Sequence, residues 1–188
     1  MLQESHQNKI DIRDVTFPTM KSLIDFCYLA TLEINMENAL DLLAASNMFQ
    51  FSGIKECCSS FLRSRLDADN CLILQTYADL HSCHQLKNEA GDFSKKNFRK
   101  VSQTDEFLNL PLQNVLELLA TDNLSVNSEK DIFEAAIAWL KYDKDREQFT
   151  AQLLQLVRLP LLPPKILGRS QLLIRKKIFL HLKAYLFH

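Results

Sequence analysis

The chain has 188 residues, of which 47% are hydrophobic and 24% charged, too apolar for a disordered polypeptide and long enough to build two small cores. Its 22 basic residues balance 23 acidic ones at a formal net charge of -1, so no overall field holds a polyanion and nucleic acid is not the expected partner. Five cysteines, an odd number, and an opening without the charged-then-apolar layout of a secretory leader predict reduced thiols and a cytoplasmic or nuclear location.

Only three glycines and five prolines punctuate the chain, and β-branched runs are scarce, so a mainly α fold is expected. No apolar run approaches the roughly 20 residues that span a bilayer, which argues against a membrane partner. Residues 9–15 alternate charge with branched aliphatics and predict a short extended piece. Pro18 suits a first helical turn, and Met20, Leu23, Ile24 and Cys27 then form one apolar face ending at Tyr28. Residues 31–34 look extended. Asn35 can cap a helix whose buried side carries Met36, Leu40 and Leu43, with Ala39, Ala44 and Met48 alongside, and a further helix is expected over residues 52–62.

Asp67 and Asp69 or Asn70 offer side-chain oxygens to the free amides of a new helix, in which Cys71, Leu74 and Ala78 recur on one side. Leu86, Ala90 and Phe93 continue helical spacing towards Phe98 and Val101, and Thr104 marks another start. Leu112, Val115, Leu116 and Leu119 follow Pro111 at helical spacing, up to a break at Asp122 and Asn123. Ser128 and Asp131 carry three-spaced capping chemistry ahead of Phe133, Ala136, Ile137 and Leu140, with Trp139 beside them. Phe149, Leu153, Leu156 and Val157 form the last periodic run before Pro160, Pro163 and Pro164. Helical hairpins packed in series are the predicted architecture. Beyond them, Ile174, Ile178, Leu182 and Tyr185, mixed with Arg175, Lys176, Lys177 and Lys183, outline a basic amphipathic terminal helix.

Chemistry-bearing constellations are thin. His81, Cys83 and His84, with Cys71 or the pair Cys57 and Cys58, lack the Cys-x-x-Cys or His-x-x-x-His spacing of a zinc site, so no metal is expected. The three glycines stand alone without forming a phosphate loop, and no nucleophile elbow is present, so neither catalytic residues nor a cofactor are expected.

Residues 66–86 together with Val157, Arg158, Leu159, Pro160, Leu161 and Leu162 resemble the BACK region of the BTB-BACK-Kelch (Kelch-like) proteins. Phe107-Leu108-x-Leu110-Pro111, then Phe133-Glu134-Ala135 with Trp139-Leu140-Lys141, follow the same pattern. Phe26, Tyr28, Leu32 and Ile34 resemble the BTB segment Phe-x-Tyr-Thr-Gly-x-Leu-x-Ile, with Ala30 in place of glycine. If that position needs a positive φ, the exchange costs about 1 kcal/mol. The resemblance implies the C-terminal part of a BTB domain over residues 1–66, a BACK domain of stacked helix pairs over 67–168 with a so-called 3-box at 67–90, and a tail outside the family pattern at 169–188. It covers no counterpart of the first half of a BTB domain and no Kelch repeats, which suggests an alternative isoform or a truncated reading frame. Without that half, the N-terminal third is expected to be poorly stable alone, because several Leu and Met side chains lack partners.

The family resemblance further implies a non-catalytic adaptor that couples a substrate receptor to the cullin 3 scaffold of a ubiquitin ligase. Leu2 and Glu4 match the hydrophobic-x-Glu pattern that touches cullin 3. Leu72, Tyr77, Leu80 and Leu86 are the candidates for an apolar 3-box groove that receives an arm of cullin 3. Homodimers or heterodimers through the BTB part are a further implied partner class, weakened by the missing half. The competing reading is a BTB-type transcriptional regulator, which would need zinc fingers or a basic face.

Overall fold

The computed structural model describes residues 12–121, 124–126 and 128–162. Ten α-helices account for most of them: α1 (Phe17–Leu29), α2 (Ala39–Met48), α3 (Ser52–Ser64), α4 (Cys71–Leu80), α5 (His84–Lys96), α6 (Phe98–Val101), α7 (Asp105–Leu108), α8 (Leu112–Leu119), α9 (Glu129–Tyr142) and α10 (Thr150–Leu156). Two 3-10 turns (Lys144–Phe149 and Leu159–Leu161) complete the regular structure, and no strand occurs among the described residues. The mainly α expectation therefore holds. Residues 12–15 and 31–34, expected to be extended, join no sheet.

Local chemistry explains where the helices begin. Thr16 caps α1, its Oγ1 accepting from the Thr19 amide, and Pro18 occupies the first turn, where its missing N–H goes unused. Ahead of α2, the Asn35 side chain accepts from the amides of Glu37 and Asn38 at 3.0 and 3.1 Å, and Asn38 Oδ1 accepts from the Asn35 amide at 2.8 Å. This reciprocal box holds one turn and delays α2 to Ala39. The buried side of α2 is consequently Ala39, Leu42, Leu43, Ala45 and Ser46, while Met36 and Met48, expected inside, face solvent. A capping box of Ser128 and Asp131 was also expected, but the Ser128 side chain makes no cap hydrogen bond; its carbonyl oxygen accepts from the Asp131 amide instead.

Helix ends follow one rule with an unusual residue choice. Ala30 closes α1 at φ 52°, with its amide donating to Phe26 O at 2.9 Å. Gln50 and Ser82 sit at φ 61° and 55° after α2 and α4. The amides of Phe51 and Cys83 reach back to Ser46 O and Ala78 O at 2.8 and 2.7 Å, the Schellman pattern. Glycine adopts this left-handed conformation without a Cβ penalty, and each of the three non-glycine residues strains it. Ala30→Gly is expected to stabilise the first unit by up to about 1 kcal/mol, offset in part by a more flexible unfolded chain. A raised urea midpoint would show it, and a lowered one would contradict the strain account.

The described residues divide into two compact units. The first takes the chain up to Arg65 together with Ala78–Leu86, and the second takes Leu66–Tyr77 and the residues from Lys87 onward. In the first, α2 packs chiefly on α3, and Leu23, Leu42, Leu43, Ile54, Cys58 and Leu62 are buried. Phe17, Ile24 and Tyr28, on one side of α1, are exposed; Ile24 was expected within the apolar face.

In the second unit, α9 supplies the centre of the core. Phe133, Ala136, Ile137, Trp139 and Leu140 are buried with Phe98, Phe107, Val115, Leu119, Leu153 and Val157. The rings of Phe98 and Phe107 meet edge to face at 6.3 Å between centroids. Trp139 Nε1 donates to Leu110 O at 2.9 Å, and the Arg146 guanidinium lies over the Trp139 ring at 4.2 Å while donating to the carbonyl oxygens of Leu108 and Trp139. These bonds tie the 3-10 turn after α9 to the segment before α8.

Candidate partner-binding site

The site expected from the sequence centres on α4 and the turn into α5. A box like the one before α2 sets the start of α4: Asp67 Oδ1 accepts from the Asp69 amide and Asn70 Oδ1 from the Asp67 amide, each at 2.9 Å. The Cys71 amide then donates to Asp67 O at 3.2 Å and opens the helix. A carboxylate from a distant part of the chain stands beside this helix start. Glu106, on α7, lies close to the backbone amides of Leu72 and Ile73, and its Oε2 is buried without a hydrogen-bond partner. No local sequence pattern signals a group brought in by tertiary folding.

Burial raises the pKa of Glu106, and the nearby carboxylates of Asp67 and Asp69 add to the rise against the lowering pull of the two amides. A carboxyl with a folded-state pKa above its unfolded value favours folding when protonated. Its contribution therefore falls as pH rises through the raised value and is restored below the ordinary carboxylate range. Glu106→Gln keeps the shape of the side chain without the charge. The variant is expected to be more stable than the parent at neutral pH and nearly equal to it at about pH 4. Urea midpoints at both pH values test this, and the same difference at both would refute it.

On α4 itself, Cys71, Leu74 and Ala78 turn inward, as their spacing predicts. Leu72 is 6% exposed and belongs to the core of the second unit; Leu86, at 1%, is buried in the first. Both were expected to line a groove, but close packing leaves neither side chain at the surface. Leu80 is 74% exposed, and Tyr77 is half-buried. Ile73, which was not among the expected residues, is 52% exposed and shares their side of the helix at i, i+4 and i+7. The outward stripe of α4 is thus Ile73, Tyr77 and Leu80. Leu2 and Glu4 lie outside the described residues, as does the expected basic helix around Ile174 to Tyr185.

The cysteines near this region are poor nucleophiles. Burial pushes the thiols of Cys58 and Cys71 up to about 12 and raises that of Cys83, so all three remain protonated at neutral pH. Burial and the positive charge of Lys55 lower the pKa of His81 and favour its neutral form.

Comparison with protein-family models gives two matches in sequence order. The BTB/POZ domain model matches residues 1–66. The model described as BACK, BTB And C-terminal Kelch, matches residues 71–171, more than half of the chain. The chain belongs to the BTB-BACK family of the Kelch-like type. Both BTB and BACK are protein-interaction domains, which gives this family member an adaptor-type role, and BTB domains in general support dimerisation. The helices of its BACK region carry the apolar stripe of α4 on a packed scaffold. Among the described residues, no helix is long and apolar enough to cross a membrane.

Proposed function

We propose that this BTB-BACK chain is a non-catalytic adaptor of a cullin 3 ubiquitin ligase and that it docks on the scaffold through the outward stripe of α4. The observation that carries the reading is the pairing of Leu80 and Ile73, large apolar side chains held in solvent on a helix whose other side is fixed in well-packed cores. Aliphatic anchors flanking an aromatic at i, i+4 and i+7 suit a partner segment with complementary apolar residues. Tyr77 brings a large aromatic area at little entropic cost. Leu72, buried in the core of the second unit, anchors the start of α4. Leu2 and Glu4 add a second contact, an apolar anchor beside a carboxylate. Ubiquitin transfer belongs to partner subunits, in the cytoplasm or nucleus, and BTB-mediated pairing with a sibling chain is compatible with this docking.

Titration calorimetry of the full chain with the cullin 3 N-terminal domain tests the reading. Saturable binding with a Kd at or below about 10 μM is expected, corresponding to roughly 7 kcal/mol. Absence of heat at tens of micromolar, with a full-length Kelch-like protein binding in parallel, would exclude docking on cullin 3.

A further inference from the structure

A second feature of the BACK region has no place in cullin docking. Between residues 93 and 104 the chain carries Lys95, Lys96, Arg99 and Lys100 and no Asp or Glu. In the same stretch Ser94, Phe98 and Val101 are buried, so the inward side is taken and the cations fall outside it; Lys96, Arg99 and Lys100 are exposed and Lys95 is half-buried. None of the four makes an ion pair among the described residues. Asp92 and Asp105 flank the stretch and form no ion pair with it among the described residues.

A cation in the last turn of a helix often serves the carbonyl groups left free there. Two of those carbonyls have other donors here. Phe93 O accepts from the Asn97 amide at 2.9 Å and from Asn97 Nδ2 at 3.0 Å, and Lys95 O accepts from the Ser125 amide at 3.0 Å. Neither of these two carbonyls therefore relies on a lysine as its donor.

We infer that the α5–α6 junction is a docking surface for an acidic segment of a partner protein, gripped by Lys95, Lys96, Arg99 and Lys100. Charge complementarity selects a polyanion, and the surroundings select protein over nucleic acid. The neighbouring aromatics are turned inward, Phe98 fully and Phe93 partly, so no ring offers a stacking platform for bases. The near-zero net charge gives a long phosphate backbone no wider positive field. The basic face escaped notice in the sequence because equal totals of acid and base conceal local segregation.

Fluorescence anisotropy of the full chain with a labelled oligoglutamate peptide, beside an oligothymidylate of matching charge, tests this surface. Oligoglutamate is expected to bind more tightly than the oligonucleotide, and more weakly as salt shortens the screening length. The K96Q/R99Q/K100Q variant is expected to lose about tenfold in affinity, and a K130Q/K141Q/K144Q control less than about twofold. Equal losses in both variants, or tighter binding of the oligothymidylate, would overturn the inference. Carbodiimide coupling of the peptide to the unmodified chain provides a readout that needs no variant. Adducts concentrated on Lys95, Lys96 and Lys100 support the surface, and adducts spread evenly over the lysines exclude it.

Discussion

Trp139→Ala is expected to remove about 3–5 kcal/mol of stability, the largest loss from any single substitution in the second unit. The side chain is 2% exposed and stands among the residues of α8, α9 and α10 that form the core. Alanine leaves a cavity too large for its neighbours to fill, since close-packed cores relax only partly. It also leaves Leu110 O without its indole donor and removes the ring beneath Arg146 and beside Phe149, whose centroid lies 6.4 Å away. Trp139→Phe retains much of the apolar area but not the N–H, so its cost should be smaller. Urea denaturation followed by circular dichroism gives both values; a loss below about 1 kcal/mol for alanine would mean that Trp139 does not organise this core.

Arg146→Ala is expected to cost about 2–3 kcal/mol, the second-largest effect. Its guanidinium donates to the carbonyl oxygens of Leu108 and Trp139, packs on the Trp139 ring and lies 5.4 Å from the centroid of the Tyr142 ring. Loss of the donors leaves two part-buried carbonyls with fewer partners, and loss of the planar group strips one face of the indole. Arg146→Lys keeps the charge but not the fork or the flat stacking surface, so it should recover less than half of the loss. Because Arg146 and Trp139 touch, their effects should not add, and a double-mutant cycle is expected to show coupling of about 0.5–3 kcal/mol. Purely additive losses would show that the stacked geometry contributes nothing.

The helices were legible wherever one apolar stripe dominated. Val115 with Leu119, and Phe133, Ala136, Ile137 and Leu140, are buried as their spacing requires. The strain at Ala30 was legible through the BTB pattern, which carries glycine at the position where Ala30 sits at φ 52°. Other features depend on contacts that no local window contains. The buried side of α2 depends on the Asn35–Asn38 box and on Ser46, which is tolerated inside because its hydroxyl donates to Leu43 O at 2.9 Å. In α4 the run of Cys71, Leu72, Ile73 and Leu74 is apolar at every step, so periodicity cannot tell which of Leu72 and Ile73 faces out. Packing decides that Leu72 enters the core and Ile73 reaches solvent. Leu80 and Tyr77 were among the residues expected from sequence, and Leu80 is exposed and Tyr77 half-buried on α4, whereas the approach of Glu106 to this helix lay beyond any local window.

In the proposed docking, the outward stripe of α4 meets cullin 3 while the inward side of the helix supports the fold. Leu80→Asp tests it most directly, in parallel measurements of thermal melting and of affinity for the cullin 3 N-terminal domain. An exposed anchor replaced by a charge should leave the melting temperature within a degree or two of the parent and weaken binding by about thirtyfold. Undiminished affinity in a variant that melts like the parent would rule out docking through this stripe.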